Sequence, residues 1–346
     1  AVLAALQAAL RGAAAAIAQH GDGSPDLQRL HERALQLADH AARFTRPADA
    51  ARVRWIDLSP QQARLVDAPL DLRESLGALR AALPRAWVFT SATLGDDDKL
   101  SWFAEPAGLD DATRLRVGSP FDYAAHARLW IPTRMPRPDE PGHAAAVGRL
   151  AAQCAHALGG RSFVLTTTLR ALPRIADSLR DGLRRLGSEV QVLVQGDEPK
   201  RALLQRFLAE PASVLVGSAS FWEGIDAPGD ALQCVLIDKL PFPPPNDPLV
   251  QARMKRLEDE GRSPFQALFV AQAAVALKQG VGRLIRSEHD RGLVVVCDMR
   301  MAAPPIGKPY GRRLRDALPP MTPIETKQQA LAWLHELAAA RDVALP

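Results

Sequence analysis

ASVLVGSASFWEGIDAPG, Ala212 to Gly229, is a short continuous apolar run that breaks at a glycine into small, hydroxyl and acidic residues. An apolar run with no polar alternation is the mark of a strand covered on both faces. Comparable runs recur in AWVFT (86–90), ARLWIP (127–132), RSFVLTT (161–167), EVQVLVQG (189–196), LQCVLID (232–238) and GLVVVCD (292–298), after a first β-rich run, RVRWIDL (52–58). Helix-like segments lie between most of them, so the chain predicts an α/β fold around a mainly parallel sheet. Two helices open it: an alanine-rich one, then a second with Ser24 as cap, Pro25 in the first turn, and Leu27, Leu30, Ala34 and Leu37 on one stripe. The Pro-rich stretch IPTRMPRPDEPGH (131–143) is the best linker candidate.

Composition narrows the class. The 346 residues are 47% hydrophobic, enough to bury two cores, and no apolar run is expected to span a bilayer. A protein without a membrane partner, in the cytoplasm, is the expectation. The N-terminus carries Gln and Arg within its apolar residues and lacks a basic leader, which favours an amphipathic helix over a secretory signal. It begins without Met, which hints at a processed or excised chain. Cys154, Cys234 and Cys297 stand far apart in sequence, which argues against a disulfide framework or a local zinc site and suits core fillers. A net charge of +4 is compatible with a nucleic-acid partner without demanding one.

Ligands of open α/β sheets gather at the carboxyl ends of the strands. There AWVFT is followed by Ser91, Ala92 and Thr93, RSFVL by Thr166, Thr167 and Thr168, and the opening stretch by Ser218, Ser220, Phe221, Trp222, Glu223, Gly224 and Asp226. Small and hydroxyl residues let a phosphate approach closely, although each such end could be only a cap or a turn. Two carboxylates around Gly224 could grip a ribose hydroxyl, a basic partner or a metal-bound water, or simply form a polar turn. LKQGVGRLIRS, Leu277 to Ser287, adds two permanent cations. At about 100° per residue Gln279, Arg283 and Arg286 share an arc of roughly 60°, opposite Val281, Leu284 and Ile285. The guanidinium fork suits phosphate oxygens; a solvated basic face is the bland alternative.

In this order VFTSATL, FVLTTT, VGSASFWEGIDAPG and QGVGRLIR resemble motifs III, IV, V and VI of superfamily 2 helicases, specifically the XPD/DinG group and its DinG/YoaA branch. GSPFDY (118–123), IDKLPFPPPNDPL (237–249) and KPYGRRLRDALPP (308–320) match that branch too. The resemblance implies a RecA-like parallel sheet: residues 121–346 the second RecA-like motor domain, 49–120 the C-terminal part of the first, and 1–48 a helical arch remnant. It implies ATP and Mg²⁺ between two motor domains, with Arg283 and Arg286 as fingers on the γ-phosphate and Gln279 and Gly282 shaping their turn. Glu223, Gly224 and Asp226 would link nucleotide to DNA, and Ser91, Ala92 and Thr93 would couple the two. Thr166, Thr167, Thr168, Ser218 and Ser220 would grip single-stranded DNA, while Phe221 or Trp222 either stacks a base or closes the core.

No lysine in the chain is followed by Ser or Thr, so a Walker A loop is absent, and QGDEPK (195–200) reads as a turn rather than a Walker B. The cysteine quartet of the family's iron–sulfur cluster would lie upstream. The expectation is the C-terminal part of an ATP-dependent DNA helicase, of 5′ to 3′ polarity if that of the family carries over, in DNA repair and inactive by itself. The alternative is a non-catalytic module binding single-stranded DNA or a replication protein such as a clamp-loader subunit, reached through the final helix with its stripe of Ala330, Leu331, Leu334 and Leu337, unless that stripe packs on the sheet. An oxidoreductase is disfavoured because GVGRLI lacks the third glycine of the dinucleotide fingerprint.

Overall fold

A computed structural model describes residues 2–20, 24–218, 221 and 229–344. The backbone divides into two compact units, residues 1–72 with 246–252, and residues 73–245 with 253–346.

In the first unit helices α1 (Val2–His20) and α2 (Pro25–Phe44) lie together. Ser24 caps α2 by accepting from the Leu27 N–H at 3.5 Å, and Pro25 occupies the first turn, where its missing N–H costs nothing. The contact face is narrower than the leucine stripe predicts: Ala14, Ala34, Ala38, Ala41 and Ala42 are buried, whereas Leu30 and Leu37 are exposed. Small side chains let two helix backbones approach closely. One expectation needs correction, because the Val2–Gln19 window reaches a mean hydropathy of 1.4 and is long and apolar enough, by length and composition, to cross a membrane. Alanine rather than leucine or isoleucine dominates that average, and Arg11 interrupts it. RVRWIDL does form a strand, β1 (Arg52–Leu58), but its partner is the antiparallel β2 (Ala63–Pro69), closed by the Ser59–Gln62 turn and by Arg52 donating to Asp67 at 2.7 Å.

In the second unit α3 (Arg73–Ala82), α4 (Ser101–Ala107) and α5 (Tyr123–His126) precede the sheet. Its strands are β3 (Ala127–Trp130), β4 (Ser162–Thr166), β5 (Gln191–Val194), β6 (Ser213–Ser218), β7 (Cys234–Ile237), β8 (Gly292–Val296) and β9 (Thr322–Ile324). Their spatial order is β5-β6-β4-β7-β8-β3-β9 and every pairing is parallel. The helices are α6 (His143–Leu158), α7 (Ala171–Arg185), α8 (Lys200–Ala209), α9 (Pro248–Asp259, whose first five residues are grouped with the first unit), α10 (Ala271–Val281, entered through a π turn at Phe265–Val270), α11 (Pro309–Asp316) and α12 (Lys327–Ala344).

Alternation along each strand explains the unbroken apolar runs. Phe163, Leu165, Val235, Ile237, Val294 and Val296 enter one core, with α8 and α10 residues such as Phe207 and Leu277. Val164, Leu236, Leu293 and Val295 enter the other, with α6, α7 and α12. Phe163 and Phe207 meet ring to ring at 4.7 Å, and each fully buried ring of this kind contributes about 1.5–3 kcal/mol. Ala330, Leu334 and Leu337 are buried in the second core, so most of the C-terminal helix stripe packs inward. Gly148 lets α6 meet α7: a Cβ there would stand 2.5 Å from the Ile175 carbonyl oxygen. Gly160, at φ +107°, makes the turn from α6 into β4.

Two sequence readings change. AWVFT forms no strand, since among the described residues no backbone pairs with it, and Val88 is 82% exposed. The Pro-rich stretch after β3 is a connection inside the sheet rather than a linker, because β3 pairs with β8. Buried His143 anchors it, with ring nitrogens 2.9 Å from the Pro136 carbonyl and 2.8 Å from the Asp238 carbonyl. The three thiols are fully buried in the core; the hydrogen bond with Cys154, together with burial, pushes the Cys234 thiol well up, and burial pushes that of Cys297 well up.

Candidate functional site

The carboxyl ends of the parallel strands are tied to one another in pairs. Gln195, just past β5, offers its Oε1 to the Ser218 N–H at 2.6 Å and to the Ser218 hydroxyl at 2.8 Å at the end of β6. Asp238, just past β7, accepts from the Thr167 N–H at 2.9 Å and the Lys239 N–H at 2.8 Å. Asp298, past β8, accepts from the Leu240 N–H at 3.0 Å and grips Arg300 through both carboxylate oxygens. Buried carboxylates persist only when paired this way. Neither aspartate stands out among hydroxyl-rich strand ends; the signal that could have found them is a lone acid closing an unbroken apolar run.

At the opposite edge of the sheet α10 ends at Val281, with Gly282 as its cap, and Leu284 packs against Gly292 at the amino end of β8. The helical projection of Arg283 and Arg286 is therefore corrected: both stand past the helix, on the turn that follows it, and both are half-buried. Leu284 and Ile285 are buried beneath them. Asp290 holds the turn by accepting from the Arg286 N–H at 2.7 Å, the Ser287 N–H at 2.9 Å and the Ser287 hydroxyl at 2.6 Å. Gly282 has φ −63°, so its role is close approach rather than left-handed backbone: a Cβ would lie 3.0 Å from the Lys278 carbonyl.

Gln279, in the last turn of α10, donates to Thr93 Oγ1 at 3.3 Å across 186 residues of sequence. The Thr93 N–H in turn donates to Ser91 Oγ at 3.1 Å, closing a tight turn over Ala92. Two stretches far apart in sequence thus meet at one place.

Residues 151–321 match the family model of the helicase C-terminal domain. The ATP-dependent DNA helicase YoaA of Escherichia coli (strain K12) is 38% identical over 266 residues, 77% of this chain and 40% of that protein. The ATP-dependent helicase DinG of Mycobacterium tuberculosis (strain ATCC 25618 / H37Rv) is 36% identical over 318 residues, 88% of this chain and 46% of that one. The chain carries a helicase C-terminal domain and is related to the YoaA and DinG helicases. It spans less than half the length of these two relatives. A solved XPD helicase superposes with a TM-score of 0.56 over 87% of this chain and 54% of its own, at 16% identity, which shows the shared fold. The seven-stranded parallel sheet is RecA-like.

Several residues assigned to DNA by the helicase resemblance are placed otherwise. Of the two alternatives for Phe221 the structure takes the core: it is 3% exposed, its ring seated on Gly217 with the Lys200 ammonium 5.1 Å from its centroid. Thr166 is fully buried and its hydroxyl donates to the Thr168 carbonyl. Ser218 is buried and its hydroxyl donates to Gln195. Thr167 is half-buried against Asp238, and Thr168 is exposed. Ser220, Trp222, Glu223, Gly224 and Asp226 lie outside the described residues.

Burial pushes the Asp238 carboxyl up to about 6, against the opposing pull of the Thr167 N–H and the Lys239 charge. Its folded value lies above the ordinary carboxylate value, so the folded chain holds the proton more tightly and loses stability as pH rises from about 4 to about 6. Asp238→Asn keeps one oxygen for the Thr167 and Lys239 N–H groups. It is expected to flatten that part of the stability profile, worth on the order of 2–3 kcal/mol, in urea unfolding between pH 4 and 7. An unchanged profile removes Asp238 as its source.

Proposed function

We propose that this chain is the C-terminal motor segment of an ATP-dependent DNA helicase that couples ATP hydrolysis to movement along single-stranded DNA, 5′ to 3′, in DNA repair. Residues 121–346 act as the second RecA-like domain, 49–120 as the C-terminal part of the first, and 1–48 as part of the arch. The observation that carries this reading is the Gln279–Thr93 hydrogen bond, which joins motif VI to motif III at one place. The exposed apolar side chains of Val88, Leu115 and Val117 support it further, because they suit a surface meant for the rest of a first motor domain.

In this reading Arg283 and Arg286 complete a nucleotide site whose phosphate-binding floor is supplied by other sequence, since no Gly-Lys-Ser/Thr occurs here. ATP with Mg²⁺ is the cofactor. Among the described residues no cluster of acids, histidines or cysteines could hold a metal. The three core cysteines do not fit an iron–sulfur cluster, which would need ligands from elsewhere. Arg283, Arg286 and Gln279 act on the phosphates; Ser91, Ala92 and Thr93 couple; Glu223, Gly224, Asp226 and Gly282 shape the nucleotide contacts; Thr168, Ser220 and Trp222 are the remaining candidates for DNA. A clamp-loader subunit is the proposed partner, and the cytoplasm the setting.

The test is twofold. The full-length protein should hydrolyse ATP in response to single-stranded DNA and unwind a duplex with a 5′ tail, whereas this chain alone should not hydrolyse ATP. The chain should bind a fluorescent oligonucleotide with an affinity that falls steeply with salt. Oligonucleotide binding by a full-length protein without ATPase activity would instead support the non-catalytic module, and no oligonucleotide binding at any salt a protein-recognition surface.

A further inference from the structure

The chain carries an ion pair that links the turn holding Ser91–Thr93 to the C-terminal part of the same compact unit. Asp96 lies three residues past Thr93, and its carboxylate is only 6% exposed. Arg313, 217 residues away on α11, donates to it twice, from Nε at 2.8 Å and from Nη2 at 3.2 Å. The third arm of the same guanidinium, Nη1, donates to the Gln266 carbonyl at 2.9 Å. Gln266 sits in the π turn that runs without a break into α10, and the last turn of α10 carries Gln279. Gln279 returns to Thr93. The result is a closed ring: Thr93, Asp96, Arg313, Gln266, α10, Gln279 and Thr93 again.

The neighbouring charges are otherwise engaged. Asp97 accepts the Ser101 N–H at 3.0 Å, Asp98 pairs with Arg116 at 3.0 Å, and Arg312 pairs with Asp316 at 3.6 Å. Arg313 therefore meets one buried carboxylate with fixed geometry. A surface ion pair would carry little consequence, but here the carboxylate cannot be handed to water. Only a guanidinium can serve both acceptors at once, because its donors are held in one plane; an ammonium reaches one of them.

We propose that Arg313 is a positioning residue: by bridging Asp96 and the π turn it holds the Ser91–Thr93 turn in register with Gln279, so that a shift on either side is passed to the other. The proposal rests on the reading of those two stretches as the coupling elements of a motor. π turns interrupting helices are frequent at functional positions.

The test uses the full-length protein with Arg313→Lys, Asp96→Asn and the exchanged pair Asp96→Arg with Arg313→Asp. Each single variant should lose about tenfold of the stimulation of kcat by single-stranded DNA, a loss in the ordinary range of coupling between sites. DNA-free turnover and KM for ATP should stay at wild-type values, and the exchanged pair should recover part of the stimulation. Independently, hydrogen exchange on this chain should show residues 91–97 losing protection in Arg313→Lys while β4, β7 and β8 keep theirs. Undiminished stimulation with unchanged protection overturns the proposal, and so does an equal fall of DNA-free and DNA-stimulated turnover, which marks a merely structural pair. If the wild type itself shows no stimulation by DNA, the motor reading fails instead, and the exchange measurement still decides whether Arg313 holds the turn.

Discussion

Replacing Arg286 by alanine in the full-length protein is expected to lower ATP turnover by about 10³-fold or more, with ATP affinity nearly unchanged. The reason is preorganisation. A cation stabilises charge developing on a transferring phosphoryl group only if its position is fixed before the reaction, since reorganising it during the reaction would cost what it contributes. The backbone of Arg286 is fixed from two sides, by Asp290 on its N–H and by buried Leu284 and Ile285 just before it. Arg286→Lys keeps the charge and loses the fork, so it should restore only part of the rate. Asp290→Ala should fall between the two, because it loosens the turn and leaves the guanidinium in place. Single-turnover hydrolysis together with binding of a fluorescent nucleotide separates the steps. Turnover at the wild-type rate in the alanine variant, or loss of nucleotide binding in step with turnover, would sink the finger assignment.

Asp298→Ala should cost about 3 kcal/mol of folding stability, the largest effect expected of a single substitution outside the Arg283–Arg286 turn. Asp298 is fully buried and accepts from the Leu240 N–H, the Arg300 N–H and the Arg300 side chain, whose Nη2 lies 2.6 Å away. Truncation strands all of these donors. It also leaves the Arg300 guanidinium 5.5 Å from the Phe242 ring centroid without its carboxylate. Arg300 keeps about a third of its side chain in solvent, so the stranded charge is partly hydrated and the lower end of the range for a broken buried pair applies. Asp298→Asn keeps one acceptor and should cost less. Adding Arg300→Met to Asp298→Ala should recover stability, because the uncompensated charge then disappears. Urea unfolding of the four proteins tests this series; a loss below about 1 kcal/mol for Asp298→Ala rules out the clasp as a stabilising element.

How much of this was legible beforehand varies with the kind of feature. Six of the apolar runs became strands of the sheet, because covering both faces of a strand demands apolar residues in sequence order. β9 was invisible: Thr322–Ile324 is three residues long with a proline in the middle, tolerated only at an edge. AWVFT carried the strand composition and formed no strand, because a strand exists only where another backbone lies beside it. The helicase resemblance put Thr166 and Ser218 on DNA and left Phe221 either stacking a base or closing the core. Phe221 turned inward because Gly217 leaves room under its ring, and the two hydroxyls found protein acceptors.

The sequence alone determined the local and periodic features: apolar runs long enough for strands, Ser24 and Pro25 at the start of a helix, and the order of four motifs whose residue types suit phosphate. Tertiary structure decided which like residues ended in contact and which in solvent. Gln279 finds Thr93, Arg313 finds Asp96, and Thr167 finds Asp238. The physical reason is that strand and helix propensity act over neighbours in the chain, whereas burial and charge pairing depend on which distant backbones come to lie side by side.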